Sequence, residues 1–226
     1  MSEITTNLIE LQDGYKYVIE NMNKTEESTL IQLGFVRKDD KLERYFSGDF
    51  TDIDRIFSNF NAKLIMMIQH QNSELLTPWE EGLLNFLKLI PEEIDWWLLG
   101  SAALAVRGID IIPRDIDIVT TANGAIEMGR KLEKYLVEPV FETDWIGRYF
   151  GRAYLKLRIE WVGDIQLNDP WVVQNYGPPV ENRLELLNWR GFQIRVAPLD
   201  LLLKQSRARS LDSRVKKIED FLGRVL

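Results

Sequence analysis

Apolar positions recur along this chain at two spacings, and the pattern changes near Pro91. In "TDIDRIFSNF", Ile53, Ile56, Phe57 and Phe60 fall at helical spacing. Residues 1–30 before it read as a helical segment with an acidic exposed face. "STLIQLGFVRKDDKLERYFSGDF" reads as a short strand, a charged turn at Arg37 to Lys41 and a second strand. "AKLIMMIQ" is a short apolar run that fits a strand. "NSELLTPWEEGLLNFLKLIPEEI" predicts a helix that begins near Pro78 and stops before Pro91, with Thr77 as its cap and Glu80 and Glu81 in its first turn. A boundary between residues 72 and 78 is expected. It separates a small N-terminal α+β region, 1–75, from a second unit, 76–226.

Past Pro91 the segments alternate. "IDWWLLG" predicts a short buried strand ending in Gly-Ser, and "AALAVRG" a two-turn helix closed by Gly108. "RDIDIVT" predicts a strand. "TANGAIEMGRKLEKYLV" predicts a helix with Ala125, Met128, Leu132 and Leu136 along one side. "RYFGRAYLKLRIEWVGDIQL" is strand material, either one long strand or a hairpin. "LELLNWRGFQIRVA" predicts a hairpin around Arg190 and Gly191. "PLDLLLKQSRARSLDSRVKKIEDFLGRV" predicts a C-terminal helix with Pro198 in its first turn.

Composition narrows the classes. The 226 residues are 45% hydrophobic, enough for one large domain or two small ones. No apolar run reaches the roughly 18 residues that cross a bilayer. The N-terminus lacks a basic head followed by an apolar stretch, so a cytoplasmic protein is expected. With no cysteine, disulfides, thiolate metal sites and cysteine nucleophiles are excluded. The net charge of −7 is uneven: residues 1–95 carry 18 acidic and 9 basic side chains. An extended duplex-binding surface would show a basic excess, and none is present. The overall acidity suits a neutral or cationic partner better.

Against this background two carboxylates stand out. Asp115 and Asp117 flank Ile116 in an apolar strand, and in a strand i and i+2 share a face. Like charges on one face repel in a low-dielectric setting, so a cation should compensate. Mg²⁺ accepts carboxylate oxygens together with substrate phosphates. Upstream, Gly100 and Ser101 form a strand-to-helix turn where a phosphate could approach the backbone. Asp52 and Asp54 repeat the tripeptide, but there they open a helix, point apart and read as capping residues.

A third acid is offered by "LKLRIEW", where Lys156, Arg158 and Glu160 alternate with apolar residues. Glu160 is either a third ligand or the salt-bridge partner of a neighbouring cation. Asp164, after Gly163, is the other candidate, and it also reads as a turn residue. Arg114 precedes the aspartates and is either their structural partner or a phosphate contact. Arg107, near Gly108, reads as a surface or dipole residue. Lys204, Arg207 and Arg209 form a basic stripe near the C-terminus. His70, the only histidine, reads as a surface residue, and Trp161 as packing.

"LLGSAAL", "RDIDIV" and "RIEWVGDI" together resemble the nucleotidyltransferase superfamily, which includes DNA polymerase β and antibiotic nucleotidyltransferases. The resemblance spans roughly residues 92–220. It implies an α/β (α+β) fold with a mixed sheet flanked by helices, and favours Glu160 as the third acid. It further implies transfer of a nucleoside monophosphate from a nucleoside triphosphate to an acceptor hydroxyl, with two Mg²⁺ (or Mn²⁺) ions. Asp115, Asp117 and Glu160 would hold the metal, while Gly100, Ser101, Arg114 and Lys204 would bind the nucleotide. A cationic acceptor such as an aminoglycoside is the first expectation. A toxin acting on tRNA or protein, or a non-catalytic nucleotide-binding module, is the alternative.

Overall fold

A computed structural model describes residues 4–225. Strands β1 (Thr5–Leu11) and β2 (Gly14–Glu20) form a hairpin, with Leu11 opposite Gly14. Helix α1 (Lys24–Gln32) follows, capped by Asn23 and Glu26 in a reciprocal box. The single helix expected over residues 1–30 is therefore corrected to a hairpin and a shorter helix. A Cβ at Gly14 would lie 2.1 Å from the Phe46 carbonyl oxygen, so the turn needs glycine there. Strands β3 (Val36–Lys38) and β4 (Lys41–Ser47) complete an antiparallel sheet of order β1-β2-β4-β3.

Helix α2 (Ile53–Gln71) absorbs the segment expected to be a strand, "AKLIMMIQ". Phe60, Leu64, Met67 and Ile68 are buried at helical spacing while Ile65 and Met66 are exposed, so the run is apolar on more than one helix face. Asp52 occupies the N-cap position, but its side chain pairs with Arg55 at 2.9 Å instead of capping. Helix α3 (Trp79–Leu89) lies where expected, but Thr77 does not cap it. The Thr77 hydroxyl is buried and donates to the Pro113 carbonyl.

The second sheet has seven strands. In chain order they are β5 (Trp96–Leu98), β6 (Asp115–Thr120), β7 (Leu136–Glu142), β8 (Gly147–Tyr154), β9 (Arg158–Ile165), β10 (Glu185–Trp189) and β11 (Phe192–Val196). Their order across the sheet is β10-β11-β5-β6-β9-β8-β7. β6 runs parallel to β9 and β11 parallel to β5, and the other pairs are antiparallel, so the sheet is mixed. Helix α4 (Gly100–Ala105) follows β5 and α5 (Ala122–Lys131) follows β6. Helices α6 (Pro170–Tyr176) and α7 (Pro178–Glu181) follow β9. Leu136, expected on a helix, opens β7 instead.

The C-terminal segment is two helices, α8 (Leu199–Ala208) and α9 (Asp212–Val225), not one. Ser210 takes a left-handed φ of 52° at the break. Pro198 precedes α8 at its cap. Among the described residues, no helix is long and apolar enough to cross a membrane.

The two faces of the large sheet are chemically different. Ile116, Ile118, Ile159 and Trp161 are buried in one core with Phe86, Ala102 and Met128. Val137 and Tyr154 instead join a second core with Tyr17, Phe46, Phe60 and Leu64. The N-terminal elements thus share a core with the edge of the large sheet.

Candidate active site

Strand register assembles the candidate site. Asp117 on β6 lies opposite Glu160 on β9, Glu160 opposite Arg152 on β8, and Arg152 opposite Glu138 on β7. One residue pair away, Asp115 lies opposite Arg158, and Arg158 opposite Tyr154. The same two-residue period that buries Ile116 and Ile118 places these side chains in two rows on the other face. Asp115, Asp117 and Glu160 each bring a carboxylate oxygen within 4.8 Å of the others.

The three acids are held differently. Asp115 ion-pairs with Arg158. Glu160 meets Arg152 at 2.8 Å and Arg158 at 2.5 Å. Burial works to raise the Glu160 pKa, but Arg152 and then Arg158 outweigh it and hold the carboxyl below its ordinary value. Asp117 makes no side-chain hydrogen bond or ion pair with another described residue. Burial, then Asp115 and Glu160, push its pKa up to about 8. Arg152 also pairs with Glu138, and Glu138 with Arg44 of β4 at 3.0 Å. Arg152 donates further to the Leu33 carbonyl at 3.0 Å, and Arg158 to Gln71 at 3.0 Å.

Glu160, expected as a third ligand or a salt-bridge partner, is found in ion pairs, with Arg152 and Arg158. It also belongs to the acidic group. Lys156 pairs instead with Glu81 at 3.0 Å. Asp164 is exposed at a φ of 58° and is not part of the group.

A cavity of about 1230 Å³ opens over the triad. Gly100, Ser101 and Arg114 line it, as do Asp115, Asp117, Arg158 and Glu160. Gly100 has a φ of 60°, and a Cβ there would lie 2.2 Å from Asp117 Oδ2. Glycine is therefore required both by the backbone and by the carboxylate's position. Lys204 is exposed on α8 and does not line this cavity. Gln205 and Arg209, farther along, do.

Several lining residues lie outside the sequence expectations. Arg214 enters the cavity from α9, near Arg209. The helix break that brings it there was legible in "ARSLDSR", where Ser210 and Asp212 are helix-stop and helix-start residues. Trp145 and Trp171 stand at the cavity wall, 62% and 54% exposed. Nothing in the spacing of the tryptophans marks these two out.

His70 is buried, not on the surface. Its Nε2 has no hydrogen-bond partner among the described residues, and its ring stacks on Tyr154 with 6.2 Å between centroids. Arg107 is half-buried, its side chain only 4% exposed, paired with Glu185 at 2.9 Å and donating to the Ala103 and Ala197 carbonyls. Trp161 is fully buried and its Nε1 donates to the Ala125 carbonyl at 3.1 Å, as packing requires.

No protein-family model matches the chain, and no curated protein matches it in sequence. Solved structures are similar to it in fold at low identity. One is a Thermotoga maritima protein described as a nucleotidyltransferase, at 19% identity and a TM-score of 0.48, covering 65% of this chain and 93% of that one. A second is the lincosamide antibiotic adenylyltransferase LnuA bound to lincomycin, at 14% identity and 0.46, covering 62% and 96%. A third is an antigenic nucleotidyltransferase-like protein from Paracoccidioides brasiliensis, at 15% and 0.43, covering 63% and 77%.

Proposed function

We propose that the protein transfers a nucleoside monophosphate from a nucleoside triphosphate to the hydroxyl of a small acceptor. The observation that carries this reading is the carboxylate triad beside Gly100, at the floor of a cavity whose other wall holds arginines. The donor set fits a hard divalent cation: three carboxylates offer oxygen ligands within 4.8 Å, and Asp117 ion-pairs with no cationic side chain among the described residues. Asp115, Asp117 and Glu160 would hold that cation, Mg²⁺ or Mn²⁺. When bound, it would supply positive charge that favours the charge distribution of phosphoryl transfer.

The chain's own residues do the rest. Arg114, Arg209 and Arg214 line the cavity and make no ion pair with another described residue, which suits them to a triphosphate. Gly100 and Ser101 border the same space. In the reaction, the acceptor oxygen forms a bond to the α-phosphorus. The bond from that phosphorus to the β-phosphate bridging oxygen breaks, and pyrophosphate departs with the bonding electrons. The hydroxyl proton leaves to a triad carboxylate.

Size supports a second ligand. Single-ligand sites commonly measure about 300–1,000 Å³, and this cavity is larger. The expectation of a cationic acceptor loses its support, however. Residues 1–75 contribute Gln32, Gln71 and Ser73 to the lining, all uncharged. The acidic surplus of that half does not face the cavity, and the aromatic wall of Trp145 and Trp171 suits a flat or apolar acceptor face.

The test is pyrophosphate release from each common nucleoside triphosphate with Mg²⁺, across a panel of hydroxyl-bearing acceptors. Release that needs an acceptor and vanishes in Asp117→Asn is expected. Metal-dependent nucleotide binding without release under any pairing would leave a binding module instead.

A further inference from the structure

Arg158 stands between two members of the triad. Its guanidinium ion-pairs with Asp115 on one side and with Glu160 at 2.5 Å on the other. A third contact to Gln71 Oε1 fixes the plane of the group. The side chain is only 5% exposed and carries a charge that Glu160 and Asp115 reinforce against burial. The Arg158 charge thus already stands between Asp115 and Glu160, where a second ion bridging that pair would have to sit.

The charge balance points the same way. Arg44, Arg152 and Arg158 face Glu138, Glu160, Asp115 and Asp117 in one connected group of ion pairs and neighbours. With the Asp117 carboxyl ionised, as binding a cation requires, three cations face four anions and leave one negative charge, and Asp117 is the carboxylate with no ion-pair partner among the described residues. One divalent ion reverses that surplus to a single positive charge, which an anionic ligand can meet. A second ion between Asp115 and Glu160 would sit against the Arg158 guanidinium itself, where like charges at contact distance repel strongly. Expelling Arg158 to make room would strip a buried guanidinium of both its carboxylates.

We infer that this site works with one divalent cation, and that the Arg158 guanidinium takes the place of the second. The inference rests on the nucleotidyl-transfer reading above and deepens it. Arg158 is then a positioning residue. Its fixed charge draws Asp115 and Glu160 in on either side, offsets their repulsion and keeps them in register with Asp117, and it needs no free ion to do so.

Equilibrium dialysis of the full chain against Mn²⁺ with inorganic tripolyphosphate on both sides of the membrane tests this. Tripolyphosphate presents the triphosphate without a choice of base. One retained Mn²⁺ per chain is expected, with no Mn–Mn dipolar coupling in the electron paramagnetic resonance spectrum. Arg158→Met keeps most of the stem without the charge, and is expected to retain two ions that couple. Two coupled ions in the wild type would overturn the role of Arg158 and leave nucleotidyl transfer standing; this count needs no variant to fold. A folded Arg158→Met that still retains one ion would overturn it as well. No retained ion in the wild type would remove the inference together with the reading beneath it.

Discussion

Replacing Asp117 by asparagine removes a carboxylate that ion-pairs with no cation among the described residues, so the two aspartates separate in their effects. Burial, then Asp115 and Glu160, push the Asp117 pKa up to about 8, so at neutral pH folding without metal must protonate a carboxyl that the unfolded chain leaves ionised, at a cost in stability. Asp117→Asn is therefore expected to abolish transfer while leaving the metal-free melting temperature unchanged or higher. Asp115→Asn also abolishes transfer, but it takes a partner from Arg158. Breaking a buried ion pair costs about 3–5 kcal/mol, and partial exposure of Asp115 places this one near the lower end. Thermal scans of the two variants without metal check the split; equal shifts would mean that Arg158 does not depend on Asp115. His70 gives a second residue-scale outcome. Burial first, and then Arg158, lower its pKa. The folded state resists a proton that the unfolded chain accepts near about pH 6.5. Stability is thus complete above that pH and falls as the pH drops from there towards the lowered folded value. Urea midpoints at pH 7.5 and 5.5 should differ less in His70→Gln than in the wild type.

At the scale of elements, close packing of α3 on the β8–β9 turn makes Gly82 a sharp test. Glycine inside a helix ordinarily loses about 1 kcal/mol to alanine. Here a Cβ would lie 2.0 Å from Leu157 Cδ2 and 2.6 Å from the Leu155 carbonyl oxygen. Gly82→Ala is expected to destabilise by about 1–3 kcal/mol, the usual size of an overpacking effect, and a urea midpoint that rises would contradict it. The elements around this turn were largely legible in the sequence. Gly100 and Ser101 mark the β5–α4 turn, and "RDIDIV" marks β6, because a two-residue period and a glycine stop are local signals. The β8–β9 pairing stayed open as strand or hairpin, since Lys156 turns the chain at a φ of 73° without a glycine. Apolar Ile65 and Met66 on the exposed side of α2 blurred its helical period into a strand-like run. The register that sets Asp117 beside Glu160 was not local information at all. Nor was the approach of Arg214 from the far end of the chain.

At the scale of the whole molecule, the polar face of the large sheet is covered from outside the unit expected over 76–226. Arg44 reaches Glu138, the Leu33 carbonyl accepts from Arg152, and Gln71 accepts from Arg158. Val137 and Tyr154 pack into the N-terminal core. Glu138 is fully buried, and without Arg44 it would keep only Arg152, whose own backbone partner would also be gone. Leaving such groups unsatisfied costs about 1–3 kcal/mol each, more when charged. That is a large share of the roughly 5–15 kcal/mol by which domains are stable. The 76–226 fragment expressed alone is therefore expected to lack a cooperative thermal transition. The full chain should unfold in a single one, with residues 1–75 and the large sheet lost together. Calorimetry of both distinguishes the cases. Two separate transitions in the full chain, or a fragment that melts cooperatively and binds Mn²⁺ as well as the whole, would show that the N-terminal elements are an appendage and not the wall that holds Arg152 and Arg158 against the triad.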